Sequence, residues 1–419
     1  MADVQPFDAL HYDLEKVGSL QQVAAPPYDV IDPAQRAELV ARSPDNVVEV
    51  DLPEAGPGED RYQRAANILE RWQSEGVLVA DSEPTVWAMT QDYTAPDGSQ
   101  ATRHAILARV RVEDYGAGRV RPHERTQPGP KQDRLDLTRA TRYNLSPIFS
   151  LTAEDAWPEV ESHAKGEPWG EVTDDDGTVH RVWPIGDPTV HAAVTARLAE
   201  AELLIADGHH RYETARAYRD EIGGEGPHCY TLMALTGLDD PGLTVFPTHR
   251  MIKGLAGDLE RQEHLANGLR ELFEVSEVSD DELDPSGTDG LGVFGYIDSH
   301  FGRAFRLRLK DTQELDRILE GRPESYRRLD VAILESLVLT GILGLSEEDI
   351  AAKRGIGYAK SLPEVRSSLG DGGYDAAFVL RPTPVEQVRE VAAAGETMPP
   401  KSTYFFPKIL SGIAFNPLA

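Results

Sequence analysis

The densest chemistry in the chain is Asp207-Gly208-His209-His210-Arg211, where a carboxylate, two imidazoles and a guanidinium surround one glycine. Imidazoles and guanidinium groups donate to phosphate oxygens, and arginine can grip a phosphate through two parallel N–H groups. Asp207 could orient a histidine, hold a metal ion or simply cap a helix. A second cluster, Arg121-Pro122-His123-Glu124-Arg125-Thr126, is followed closely by Lys131, Asp133 and Arg134. A carboxylate next to a histidine, Glu124 next to His123, suits general-base work on a hydroxyl. It suits a surface ion-pair loop equally well. A third stretch, Ala25-Pro26-Pro27-Tyr28-Asp29-Val30-Ile31-Asp32, is a rigid polar loop. In it Asp32 reads as a helix cap ahead of Pro33, while Tyr28 and Asp29 stay open. Pro247-Thr248-His249-Arg250 and Lys401-Ser402-Thr403, with Lys408, complete the set. Read alone, each of these last two is structural first.

The strongest cluster sits on a recognisable framework. Leu203-Leu204-Ile205-Ala206 reads as a short buried strand, and Arg211–Glu221 carries Tyr212, Ala215 and Tyr218 at helical spacing, ended by Gly223-Gly224. Gly208 lets the backbone turn sharply between them. A helix start at such a turn presents N–H groups and a positive dipole end to anions. Elsewhere Tyr62, Ala65, Leu69 and Trp72 predict a helix ending at Gly76. Pro84–Tyr93 and Arg103–Val112 flank Pro96-Asp97-Gly98-Ser99 as a hairpin. Gln127–Asp133 holds Pro128, Gly129 and Pro130 and reads as a loop. Arg142–Leu151 reads as a loop leading into a short strand, and His180–Ile185 as a strand after the turn Asp174–Gly177. Beyond Arg250, Leu291–Ile297 and Ala304–Leu309 read as strands, Asp330 as the cap of a helix Val331–Leu343, and 398–408 as non-helical.

Composition narrows the function classes. The 419 residues hold 71 Asp plus Glu against 42 Lys plus Arg, a formal net charge of −29. That field repels phosphate backbones and anionic headgroups, which argues against nucleic acid and membrane partners while leaving room for a local basic pocket. The lone Cys229 permits no intrachain disulfide and no multi-cysteine zinc site. Met1–Asp13 lacks a basic-then-apolar leader, and the most apolar window, Leu329–Leu345, is short and carries Asp330 and Glu335. A cytoplasmic protein is therefore expected. No Gly-x-x-x-x-Gly-Lys-Ser/Thr loop, His-Glu-x-x-His, Gly-x-Ser-x-Gly or dinucleotide glycine motif is present. Asp207, Glu124 and the histidines would suit Mg²⁺ or Mn²⁺, but no spacing demands a metal, so no metal site is assigned.

Taken together, Ala25-Pro-Pro-Tyr-Asp-Val-Ile, Pro122-His-Glu-Arg-Thr, Lys131-Gln-Asp-Arg, Ala206-Asp-Gly-His-His-Arg-Tyr-Glu-Thr-Ala, Pro247-Thr-His-Arg and Met398-Pro-Pro-Lys-Ser-Thr-Tyr-Phe-Phe-Pro-Lys resemble the domain-of-unknown-function family 1015, from about Phe7 to the C-terminus. Ile-x-Asp-Gly-His-His-Arg is in addition similar to the phosphate-binding motif of the ParB/sulfiredoxin superfamily, in its free-serine-kinase-like branch. The Gly-Glu-Arg-Arg form of the partition proteins and the sulfiredoxin cysteine are both missing, which argues against those activities. The resemblance implies an α+β fold: a mixed-sheet protein with a central ParB/sulfiredoxin-like unit and an additional C-terminal α/β region. The expected regions are 1–119, 120–255 (the phosphate-binding one) and 256–419, with soft, interleaved boundaries.

The function expected from residues and resemblance is a nucleotide-dependent phosphotransferase. It would act on a small hydroxylated metabolite such as free serine or a similar amino acid, using ATP or ADP with Mg²⁺. Glu124, Asp207 and His123 are the expected catalytic residues. Gly208, His209, His210, Arg211, Lys131, Arg134 and Lys401 would bind the nucleotide, and Tyr28, Asp29, His249 and Arg250 the substrate. The loops around Tyr28, Glu124 and Lys401 are expected to converge on Gly208. Alternatives are a nucleotide-binding regulator with slow or no hydrolysis and, less favoured by the charge, a ParB-like nuclease or DNA-binding protein. The sequence assigns no oligomeric state.

Overall fold

Val86–Thr94 and Gln100–Arg111 pair antiparallel in the computed structural model, which describes residues 2–95, 98–116, 118–126, 128–299 and 302–419. The expected hairpin is thus present. Pro96 and Asp97 of its turn lie outside the described residues, and a 2.8 Å hydrogen bond from the Ala95 amide to the Ser99 carbonyl closes it. The chain divides into two units: residues 1–122, 126–244 and 407–419 form the first, and residues 123–125 and 245–406 the second.

The hairpin is the middle of a nine-stranded sheet in the first unit. Across the sheet the order is Val120–Arg121, Leu203–Asp207, Ile148–Thr152, Tyr230–Gly237, Gln100–Arg111, Val86–Thr94, Val179–Ile185 and Gly170–Thr173, with Val4–Gln5 also on Gln100–Arg111. Tyr230–Gly237 runs parallel to Ile148–Thr152, and Leu203–Asp207 parallel to Val120–Arg121, while the other pairings are antiparallel. The sheet is mixed and the fold is α+β. Strands from 1–119 and from 120–255 lie side by side in it, so the boundary expected at 119/120 falls inside one unit. The physical reason is pairing: the 100–111 strand leaves its edges bare unless 230–237 covers one of them.

Apolar faces of the sheet and of the helices Pro188–Leu198 and His209–Ile222 enclose a core that includes Ala88, Ile106, Leu203, Ile205, Tyr212 and Met233. The helix predicted from Tyr62 to Trp72 is present as Arg61–Ser74 and buries Ala65, Leu69 and Trp72. Asp32 caps the helix Pro33–Arg42 as expected, accepting from the Ala34 and Gln35 amides.

Two local expectations are corrected. The segment read as a loop, Gln127–Asp133, opens a helix, Pro128–Thr141, with Gln127 itself outside the described residues. Proline lacks the N–H that an interior helical turn needs, but the first turn needs none, so Pro128 and Pro130 begin a helix rather than forbid one. Asp330 does not cap its helix. It is the first helical residue, and its carboxylate binds the Arg381 guanidinium at 2.7 Å and the Gly292 amide at 3.2 Å. The helix then continues with π winding over Leu334–Ile342.

The second unit is built on a six-stranded antiparallel sheet. Its order is Phe273–Val278, Arg303–Leu309, Val293–Asp298, Ala376–Val379, His249–Ile252 and Ile356–Ala359. Its core includes Met251, Ile297, Val365 and Val379. Among the described residues no helix is long and apolar enough to cross a membrane.

Candidate functional site

Leu203–Asp207 is a buried strand whose last residue turns toward solvent. Its pairing register with Ile148–Thr152 shifts between Ile205 and Asp207, so Asp207 stands opposite Phe149. Such a bulge re-aims a side chain. Gly208 follows with φ +95, a left-handed conformation that costs other residues. It has a second reason to be glycine: a Cβ there would stand 2.9 Å from Arg211 Nε. The helix His209–Ile222 starts at once, 14 residues long and without a side-chain cap at its amino end. His209 is buried and His210 half-buried in its first turn.

Arg211 folds back on this turn. Its Nη1 donates to Ser146 Oγ at 2.7 Å and to the Pro147 carbonyl, and its Nη2 reaches Asp207 Oδ2 at 3.4 Å. The guanidinium therefore braces the turn from beneath. Lys408 Nζ lies 3.5 Å from Asp207 Oδ1, so Asp207 is flanked by two cations.

Beside Arg211 lies a small cavity of about 40 Å³ whose lining mixes Asp51, Arg134, Ser146 and Arg211 with Leu137 and Leu145. That volume suits water, not a metabolite. Arg134 is buried and tied to two carboxylates: Nη1 donates to the Asp51 carbonyl at 2.6 Å and to its Oδ1 at 3.1 Å, and Nη2 to Asp133 Oδ2 at 2.7 Å. The Tyr28 ring packs against its guanidinium at 4.0 Å. Burial pushes the Tyr28 phenol up to about 12, so it stays protonated. Asp29 is exposed. Lys131 lies on the helix 128–141, where its carbonyl accepts from Thr214 at 3.4 Å.

The remaining expected residues belong to the second unit. His123 Nε2 and Thr403 Oγ1 are 3.0 Å apart, and the Met398 amide donates to the His123 carbonyl at 2.7 Å. The Lys401 amide approaches Glu124 Oε1 at 3.5 Å, and Lys401 itself has φ +57. Arg250 is wholly buried and donates to the carbonyls of Thr248, Lys401 and Pro400 at 2.6, 3.0 and 3.2 Å. It holds the strained Lys401 turn in shape. His249 is buried, its Nδ1 accepts from the Leu380 amide at 3.2 Å, and burial pulls its imidazole down to about 4. It is neutral, and neither His249 nor Arg250 offers an exposed polar face to a substrate. The structure thus gathers the expected residues into two groups, one in each unit.

Sequence reasoning missed Arg103, Gln91 and His180, which occupy paired positions on three neighbouring strands of the first unit. The available signal was an arginine at an inward position of an apolar strand, between Ala101 and Ala105. Among the described residues no group of three or more His, Cys, Asp or Glu is arranged to hold a metal ion. Within the turn Asp207–Arg211 the oxygen ligand type for a hard cation comes from the Asp207 carboxylate.

A family model matches residues 4–332, and the chain belongs to the DUF1015 family, proteins of unknown function. No curated protein matches. Among solved structures, a free serine kinase in complex with AMP is 16% identical, with 70% of this chain and 88% of that chain covered and a TM-score of 0.36. A conserved hypothetical protein from Pyrococcus furiosus is also 16% identical, covering 71% and 91% with a TM-score of 0.37. SbnI with a C-terminal truncation, from Staphylococcus aureus, is 12% identical, covering 74% and 87% with a TM-score of 0.38.

Proposed function

We propose that this protein is a nucleotide-dependent phosphotransferase that phosphorylates a hydroxyl of a small metabolite, with free serine the first acceptor to test. One observation carries the reading: a long helix starts at a left-handed glycine with no side-chain cap, beside an aspartate flanked by Lys408 and Arg211. Helix amides, the dipole end and nearby cations are what a nucleotide's phosphates require. Phosphoryl transfer asks the protein mainly for positioning and charge compensation, and this turn supplies both.

In this reading the donor phosphates rest on Gly208, His209 and His210, with Lys408 compensating their charge. Arg211 keeps the turn in shape from below. Mg²⁺ would arrive with the nucleotide and find Asp207 beside it. Two carboxylates could take the acceptor's proton. The Asp207 carboxylate lies between Lys408 and Arg211, and Glu124 Oε1 takes a 3.5 Å contact from the Lys401 amide.

The test is a thermal-shift series with ATP, ADP and CTP, with and without Mg²⁺, followed by detection of phosphoserine under multiple turnover. A ligand that binds the native state raises the melting temperature by mass action. A nucleotide shift with product accumulation supports the kinase. A shift with no product from any hydroxylated acceptor makes the protein a nucleotide-binding regulator, and no shift at millimolar nucleotide removes both. Comparing Asp207→Asn with Glu124→Gln assigns the base, since only loss of the base lowers kcat while leaving nucleotide affinity in place.

A further inference from the structure

Across three neighbouring strands of the first unit runs a row of buried polar side chains. His180 is the strand partner of Gln91, and Gln91 is the strand partner of Arg103. All three are at most 1% exposed. Arg103 Nε donates to Gln91 Oε1 at 2.9 Å, which turns the Gln91 amide nitrogen toward His180 Nδ1, 3.0 Å away. His180 Nδ1 must then accept, and its Nε2 carries the proton to Asp174 Oδ2 at 2.9 Å. Gln91 Nε2 also holds the Lys408 carbonyl at 2.9 Å, and Arg103 Nη2 holds the Pro407 carbonyl. Gln91 and the Pro407 carbonyl thus fix the guanidinium, and His180, Asp174 and the Lys408 carbonyl fix Gln91.

That guanidinium is electrically incomplete. Its hydrogen bonds go to neutral acceptors, its face lies over the Phe149 ring at 4.3 Å, and Nη1 is buried without a hydrogen-bond partner. Among the described residues no carboxylate lies within 4.0 Å of it, a distance that many other arginines of the protein meet, Arg134 and Arg381 among them. Asp240 and Asp207 act on it only from beyond that distance, and a buried charge without a contacting counter-charge is expensive, as is a buried unpaired donor. Burial lowers its pKa to about 9, the direction expected where the bare charge is disfavoured. Its surroundings point to the site already described: Phe149 is the strand partner of Asp207, and Lys408 follows the Pro407 carbonyl that Arg103 holds.

We infer that Arg103 is an anion-binding residue, its Nη1–H reserved for an oxygen of a phosphate group, with Asp174, His180 and Gln91 as positioning residues that hold it ready. The inference rests on the reading that phosphates bind at the Gly208 turn, and it adds a guanidinium to the contacts proposed there from His209, His210 and Lys408.

The experiment uses inorganic phosphate as the probe, titrated at constant ionic strength against chloride, with melting temperature as the readout. Wild type is expected to gain stability with phosphate. Arg103→Met is expected to be at least as stable as wild type without phosphate, and to need at least tenfold more phosphate for the same shift. Gln91→Glu, which gives Arg103 an internal carboxylate but removes the donor to His180 Nδ1 and the Lys408 carbonyl, is expected to blunt the phosphate response whatever its starting melting temperature. This second variant answers the question should Arg103→Met fail to fold. An equal phosphate response in wild type and both variants, or no response in wild type, overturns the inference. Nucleotide titration of wild type separates the two readings. An Arg103-dependent phosphate shift without any nucleotide shift keeps this subsite and removes the kinase, whereas a nucleotide shift with Arg103-independent phosphate binding does the reverse.

Discussion

Gly208 concentrates two demands at one position, a left-handed backbone and close contact with the Arg211 guanidinium. Gly208→Ala should cost about 1–2 kcal/mol from the backbone alone, and it should also push Arg211 off Ser146. The expected outcome is a lower melting temperature together with loss of the nucleotide shift. Asp207→Ala, which leaves the backbone alone, should keep most of the stability. Equal nucleotide binding by wild type and Gly208→Ala would detach the turn from phosphate recognition. This residue was legible from the sequence because Asp-Gly-His-His-Arg carries its donors within one turn. Arg103 was not, because its meaning depends on Gln91 and His180, which are near it only across strands. Arg211 was legible as a cation but not as a brace, since Ser146 and Pro147 are distant in sequence.

Among elements, the short pair Leu10–Tyr12 and Leu78–Ala80 carries a titratable fastening. His11 Nδ1 faces the Tyr12 carbonyl at 2.9 Å and Nε2 faces Asp81 Oδ1 at 3.1 Å, with Trp87 and Trp169 edge-on around the ring. Two acceptors require both nitrogens to be protonated. Burial alone would lower the pKa, but the bonds to Asp81 and Tyr12 outweigh it and raise the value above 6.5. Stability from this contact is therefore fully present below pH 6.5 and lost as pH rises through the higher native value. Unfolding midpoints between pH 5.5 and 9 should fall more for wild type than for His11→Gln, and parallel curves would refute the assignment. Elements with a strong period, such as Arg61–Ser74 and the 86–111 hairpin, were legible because one buried face dictates them. The helix Pro128–Thr141 was not, because prolines carry opposite meanings in a first turn and in an interior.

At the scale of the molecule, a net charge of −29 opposes compaction, while many exposed arginine–carboxylate pairs favour it. Exposed pairs contribute about 0–1 kcal/mol each and are screened together with the repulsion. With 71 acidic against 42 basic residues, repulsion should dominate. The melting temperature in phosphate-free buffer should rise by a few degrees between 0.05 and 0.5 M NaCl, on the order of 1 kcal/mol. A fall would mean that the ion pairs outweigh the surplus charge. Under a field of that sign, only local cations can draw an anion to the surface.

The return of residues 407–419 to the first unit has a consequence for how the protein is made. Lys408 beside Asp207, Ser411 on Asp51 and Asn416 on Asn144 all come from this last stretch. A ribosome adds roughly 5–20 residues per second. After Thr244 it must therefore synthesise all of Val245–Phe406, for on the order of ten to thirty seconds, before the first unit receives its closing piece. During that interval the nascent chain presents the Gly208 turn without Lys408 beside Asp207.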